Sequence, residues 1–421
     1  MSRLANAPSE APDPYSVLRQ GDFARYLVGR LVAVLGQQML TVAVGWELYD
    51  RTGSALALGL VGLAEMIAMV LLTLPAGHLA DNYNRKRIIQ TALLVGVASS
   101  IGLAFISALH GPVWCIYACL FMTAAARTFL WPASSAFVTS LVPRELFPRA
   151  VTWNSGAFQL SSVAGPALGG ALMALLGRHL SHPAAVIYVL NALAGLTCFA
   201  LVCLIRTEHV VARPEKMTLS SLATGFRFVF AQRLILGMIT LDMFAVLLGG
   251  ATALLPIYAK DILRAGPEGL GLLQAALPLG AMACALFLAH RPPMQRAGRA
   301  LLAAVTVFGL ATIAFGFSRW FWFSFAMLVL CGMVDNVSVV VRHTSVQLLT
   351  PDEKRGRVSA VNSLFIGTSN ELGGFESGLV AHLFGPVFSV VSGGIGTIVV
   401  AIAVALIWPE IRRYGRLEGP G

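Results

Sequence analysis

Long apolar runs separated by short polar punctuation make up almost the whole chain. A helix that crosses a bilayer needs roughly 20 mostly apolar residues. Twelve runs reach that length: 26–49, 55–76, 88–109, 112–141, 150–177, 183–205, 234–258, 268–289, 299–317, 320–349, 356–384 and 387–408. Several are long enough to predict tilt or extension beyond the hydrocarbon. No segment alternates apolar and polar residues with the period of a strand, which argues against a β-barrel. Proline recurs inside the runs, at Pro75, Pro132, Pro166, Pro256 and Pro278, as membrane helices tolerate.

Composition agrees with a lipid-embedded chain. Of 421 residues, 57% are apolar and 12% charged, about half the charged share of a soluble domain. The net charge of +10 would raise nucleic acid as a partner in a soluble protein. Here the placement of the charges accounts for it. With twelve spans and an inside N-terminus, 23 of the 30 Lys and Arg residues fall on the cytoplasmic side. They include Arg85, Lys86, Arg87, Arg144, Arg149, Arg291, Arg296, Arg299, Lys354, Arg355 and Arg357. Five fall outside (Arg51, Arg178, Lys260, Arg264, Arg319), and Arg127 and Arg342 lie within spans. That asymmetry is the positive-inside signal, and it predicts cytoplasmic N- and C-termini without a nucleic-acid partner. The first 24 residues are polar and contain proline, so no cleavable signal peptide is expected. The six cysteines lie inside apolar runs away from His, which reads as packing rather than metal binding. No cofactor or metal is expected.

The organisation is twofold. The polar connection 206–233 divides the chain, and its stretch 219–233 has the pattern of a short amphipathic surface helix. The expected parts are a tail 1–25, a six-helix bundle 26–205, the central loop 206–233, a second six-helix bundle 234–408 and a tail 409–421. A shift of 208 residues places Pro143 on Pro351, Glu145 on Glu353, Arg149 on Arg357, Asn154 on Asn362, Ser155 on Ser363, Gly165 on Gly373 and Gly170 on Gly378. A same-direction repeat implies two bundles related by an axis along the membrane normal, with a substrate site between them near mid-membrane.

Charges inside spans are expensive, so each is a functional candidate. They are Glu65, Arg127, Asp242, Asp335, Arg342, Glu371 and Glu376, with Glu47 nearer the outer rim. Asp335 and Arg342 are two turns apart and share a face without touching. Trp46, Trp131 and Trp153 are either cavity-lining or interfacial.

Five segments carry a family resemblance. After the second span, Gly77, Leu79, Ala80, Asp81, Arg85 and Lys86 match motif A of the major facilitator superfamily, with Asn84 in place of the usual glycine. In the fifth span Gly156, Gly165, Pro166, Gly169 and Gly170 resemble motif C of its proton-coupled exporters. The regions 45–59, 357–362 and 370–378 are similar to the bacterial enterobactin-exporter-like branch, the transmembrane secretion effectors. The resemblance implies the major facilitator fold, all-α with twelve transmembrane helices in two six-helix bundles, working as a monomer in a bacterial inner membrane. It implies a gate in which Asp81 caps a neighbouring helix, here span eleven, with Asn84 in a left-handed turn. It also places Arg127 near the superfamily's span-four arginine, puts spans two and seven side by side with Glu65 and Asp242 as carboxylates able to bind a cation or share a proton, and assigns close helix packing to the motif C glycines. The second half near 290–300 has basic residues but no matching Asp, and Gly36 to Met39 lack the acid that branch members often carry in span one.

No nucleotide-binding loop, metalloprotease motif or nucleophile elbow is present in the sequence, which argues against ATP-driven pumping and enzyme chemistry. The expected activity is export of a small amphipathic molecule, siderophore-like or drug-like, by proton antiport with alternating access. The alternatives are uptake, uncoupled facilitated transport, or a non-transporting membrane receptor or scaffold.

Overall fold

In the computed structural model, residues 15–206, 227–292 and 294–415 are described. Most of the central loop, including the expected surface helix up to residue 226, lies outside them, as do the first 14 and last six residues. Among the described residues the chain is all-α. The long helices are α1 (Gly21–Thr52), α2 (Ala55–Asn82), α3 (Arg85–Ala108), α4 (Val113–Leu141), α5 (Phe147–Gly177), α6 (Pro183–Cys203), α7 (Arg233–Leu248), α8 (Gly266–Ala289), α9 (Ala297–Phe317), α10 (Phe321–Leu349), α11 (Asp352–Phe384) and α12 (Pro386–Ile407). Each coincides with an apolar run read from the sequence. Among the described residues eleven spans are long and apolar enough to cross a membrane. The twelfth helix, α11, has the length but is diluted by Asn362, Asn370, Glu371 and Glu376.

Local chemistry sets the turns. Gly53 adopts φ 58 and ends α1, and Ser54 caps α2 by accepting from the Ala57 amide. Gly385, at φ 94, joins α11 to α12. Pro75, Pro132, Pro166 and Pro278 stand inside continuous helices. Span seven is the exception to regularity. It runs Arg233–Ile262, but α7 stops at Gly249 and Gly250. A 3-10 turn (Ala251–Leu254), a short helical turn and a π-turn (Tyr258–Ile262) follow. A side chain on Gly250 would strike the Gly373 carbonyl and the Ser377 hydroxyl of α11, and one on Gly249 would meet the Phe308 ring of α9, so each glycine sits where a neighbouring helix presses close.

Helices α1–α6 pack on one another, α1 with α5 and α6, α2 with α4, and α3 with α4 and α6. Helices α7–α12 repeat those pairings, α7 with α11 and α12, α8 with α10, and α9 with α10 and α12. Two seams join the halves, α2 against α11 and α5 against α8. The seams are made of small residues. Gly59 meets Gly378, Gly62 meets the Glu371 carbonyl, and Gly170 meets Gly271. Backbones can approach this closely only without side chains, and in lipid such packing is what holds helices together.

The buried core is distributed unevenly along the membrane normal. The described ends of the chain lie on one face, here called the terminal face. Toward the opposite, far face one apolar cluster joins both halves and includes Leu40, Leu48, Tyr188, Leu254, Tyr258, Leu270 and Phe315. Toward the terminal face the core splits. One cluster belongs to the first half, around Phe23, Tyr26, Phe137 and Ile205. Two belong to the second, around Met238 and Leu301 and around Ile239 and Val358. The halves are therefore sealed at the far face and separate at the terminal face.

Candidate functional site

The cleft between the halves is lined on α4 by residues four apart. Arg127, Trp131, Ser135 and Thr139 are all exposed, Trp131 by 72%. Four-residue spacing places them on one face of the helix, a stripe running from mid-membrane toward the terminal face.

At the inner end of that stripe three charged side chains meet. Arg127 Nη2 donates to Glu65 Oε2 at 2.6 Å and to Glu371 Oε1 at 3.4 Å. Glu65 comes from α2, Arg127 from α4 and Glu371 from α11, so the cluster bridges both halves across the α2–α11 seam. Gly62, one turn from Glu65, lets α2 lie directly on the Glu371 backbone. The side chains keep partial access, 48% for Arg127, 18% for Glu65 and 25% for Glu371. Asn370, beside Glu371, is exposed. Two carboxylates share one guanidinium, so the cluster holds one surplus negative charge, and protonation of either acid neutralises it.

The second charged group is different in kind. Asp242 of α7 pairs with Arg342 of α10, and both side chains are almost wholly buried, at 8% and 3% exposure. The pair lies inside the second half. Glu65 and Asp242 are thus not brought together as the sequence reading expected, because each has its own arginine. Asp335 stands half-buried at mid-helix on α10. Glu376 is half-buried further toward the far face, with the Ser377 hydroxyl 3.5 Å from its Oε2.

At the far face the ends of α1 and span seven are tied together. Tyr49 Oη donates to Asp261, Lys260 Nζ reaches Asp50 Oδ1 at 2.5 Å, and Lys260 Nζ lies 5.7 Å from the centre of the Tyr49 ring. Glu47 holds Arg51 at 3.2 Å and accepts from Tyr188 at 2.7 Å. The sequence reading missed the first set. Its only trace there was an acid at the end of span one and a Lys-Asp dipeptide at the end of span seven.

Motif A is anchored differently from expectation. Asp81 is exposed and has no ion pair or hydrogen bond among the described residues, so it does not cap α11. The physical reason is the split core at the terminal face, which holds the two halves apart there. Asn84 is not left-handed. At φ −63 it caps α3, accepting from the Arg87 amide. Arg85 donates to the carbonyls of Ala80 and Ala136, and Lys86 to those of Cys203 and Ile205, ties within the first half. Gly77 lies inside α2.

The motif C residues divide. Gly165 and Gly169 face α1 at Gln38 and Met39, and Gly170 faces α8. The Pro166 carbonyl lies against Gly271. Gly156 is exposed with nothing within 4 Å of an added side chain, so it is not a packing glycine. Near it Gln159 Nε2 crosses the second seam to the Pro278 carbonyl at 2.7 Å. Cys203 also departs from expectation. It is exposed at the end of α6 and takes a hydrogen bond from Gln90.

Known proteins resemble this chain in sequence or in fold. The model of the transmembrane secretion effector family matches residues 12–413. The enterobactin exporter EntS of Shigella flexneri is 27% identical over 401 residues, covering 93% of each chain. The enterobactin exporter EntS of Escherichia coli O1:K1 is 27% identical over 395 residues, again with 93% of each covered. Among solved structures, a bacterial homologue of the human lysosomal transporter Spinster, inward-facing and unoccupied, has a TM-score of 0.70 at 15% identity, over 96% of this chain and 98% of that one. A point mutant of the nucleoside transporter NupG has a TM-score of 0.71 at 13% identity, over 92% and 100%. At such identities the structural likeness shows the fold alone.

Proposed function

Because the chain belongs to the transmembrane secretion effector family, a branch of the major facilitator transporters, we propose that it exports a small amphipathic molecule by proton antiport. It works as a monomer in a bacterial inner membrane with both termini cytoplasmic. On that orientation the terminal face is the cytoplasm and the conformation described above is open inward.

The observation that carries this reading is the Glu65–Arg127–Glu371 cluster across the α2–α11 seam. Alternating access rocks one half against the other. Glu65 and Arg127 ride on the same half and stay together. Glu371 rides on the other half. When the far face opens, Glu371 leaves Arg127 and takes a proton from outside, since an acid without its cation is costly in a dry site. On return to the inward-open state Arg127 is again 3.4 Å away. The proton is then released to the cytoplasm, and the cleft along Trp131, Ser135 and Thr139 admits the next substrate. The Asp81 motif, without a partner here, gains one as the cytoplasmic ends close.

The test is gradient-driven efflux in inverted vesicles carrying Glu371→Gln or Glu65→Gln. Gln keeps the shape and removes the titration. Glu371→Gln is expected to lower gradient-driven transport at least about tenfold, equivalent to about 1.4 kcal/mol, while exchange without a gradient persists. Gradient-driven transport at the wild-type rate in both variants refutes proton coupling through this cluster.

A further inference from the structure

The charges at mid-membrane do not cancel, and the imbalance has one sign. Asp242 and Arg342 neutralise each other. Glu65 and Glu371 exceed Arg127 by one negative charge. Asp335 then adds another with nothing to offset it. Among the described residues it makes no ion pair and no hydrogen bond, and the next basic residue on its helix, Arg342, is committed to Asp242. The neighbouring Asn336 has a buried Nδ2 that also lacks a partner.

The position of Asp335 is not arbitrary. It is the fifteenth residue of the 29-residue α10, and Arg127 is the fifteenth residue of the 29-residue α4. The 208-residue shift that relates the halves places one on the other. Trp131, Ser135 and Thr139 map in the same way onto Val339, His343 and Gln347, and His343 and Gln347 are exposed. The α10 stripe is therefore the opposite wall of the same cleft. At its inner end it carries a free carboxylate where the first wall carries a guanidinium already held by two acids.

We infer that the transported molecule is an organic cation and that Asp335 holds its positive charge. An ionised carboxylate at this depth needs a counter-charge, and the described residues supply none. An anionic substrate would meet a net negative site whose one cation is taken. This inference rests on the export reading and adds the charge of the cargo. It departs from a siderophore-type anion.

The experiment uses two probes of nearly the same size and shape but opposite charge, tetraphenylphosphonium and tetraphenylborate. Equilibrium dialysis of each is performed against the purified full-length chain in detergent. The phosphonium is expected to bind at least about tenfold more tightly than the borate, and Asp335→Asn to weaken it about tenfold or more. Asp335→Glu should restore binding, and Asp335→Asn should melt as the wild type does. Equal or preferential borate binding overturns the inference. So does binding of neither probe, or an unchanged phosphonium affinity in Asp335→Asn. Equilibrium binding needs no gradient. A failed coupling mechanism would therefore appear as lost gradient-driven flux with phosphonium binding intact.

Discussion

Two arginines lie inside the membrane of this protein, each with acidic partners, and their surroundings differ in every respect that matters for work. Arg127 is held by acids from two other helices, one in each half, and all three side chains reach the cleft. Arg342 has one acid from its own half, and neither side chain is reached from outside. The first group has a surplus charge and spans the two halves, so the rocking proposed above would change its geometry. The second is neutral and moves as a unit with its half. A buried charge is therefore not a functional site by itself. What distinguishes the two is whether the pair crosses a moving boundary and whether solvent or substrate can arrive.

The sharpest way to break that comparison is to remove one partner from each group. At the closed pair, Asp242→Asn leaves a desolvated guanidinium with no counter-ion, which costs about 3–5 kcal/mol. A large fall in melting temperature in detergent is expected. Replacing both partners by apolar residues, Asp242→Leu with Arg342→Met, should recover most of it, because a well-packed apolar pair can equal a buried ion pair. At the open cluster, Glu371→Gln should leave the melting temperature nearly unchanged. A stable Asp242→Asn protein, or an unstable Glu371→Gln protein, would reverse the assignment of roles.

Much of the fold was legible in the sequence because hydrophobic runs in lipid have one solution. Backbone groups must be satisfied within the segment, so each run of about 20 apolar residues becomes a helix. Even α11, the most polar of the twelve long helices, was legible as the run 356–384, and its repeat with span five agrees. The break in span seven was not, since Gly249 and Gly250 resemble the tolerated glycines of other spans until Phe308 is seen against the first and Gly373 against the second. The charged candidates were legible individually. Their pairing was not, because Glu65, Arg127 and Glu371 are far apart in sequence and meet only through a seam of glycines. Asp81 was legible as a motif, yet among the described residues it has no partner, and the closing of the cytoplasmic ends proposed above is what would supply one.

That seam offers an intermediate prediction. A side chain at Gly62 would run into the Glu371 carbonyl, backbone that has no rotamer to yield. Gly62→Ala should push α2 off α11 and pull Arg127 from Glu371 without altering any charge. Transport should fall about as far as in Glu371→Gln, on the order of tenfold or about 1.4 kcal/mol. Wild-type transport by Gly62→Ala would separate the cluster's chemistry from its geometry.

The smallest expected effect tests the far-face tie, which also crosses between the halves but at an exposed rim. The side chains of Lys260 and Asp50 are 34% and 56% exposed, so their attraction is largely screened. Such pairs contribute about 0–1 kcal/mol. Lys260→Ala should therefore shift the balance toward the outward-open state only a few-fold and leave melting intact. Pairing cysteines at the same two positions makes the tie permanent. Asp50→Cys with Lys260→Cys should transport when reduced and stop when oxidised, since the halves can no longer part at the far face. Undiminished transport after quantitative cross-linking would mean that α1 and span seven do not separate there. The rocking motion that gives the Arg127 cluster its role would then have to be placed elsewhere.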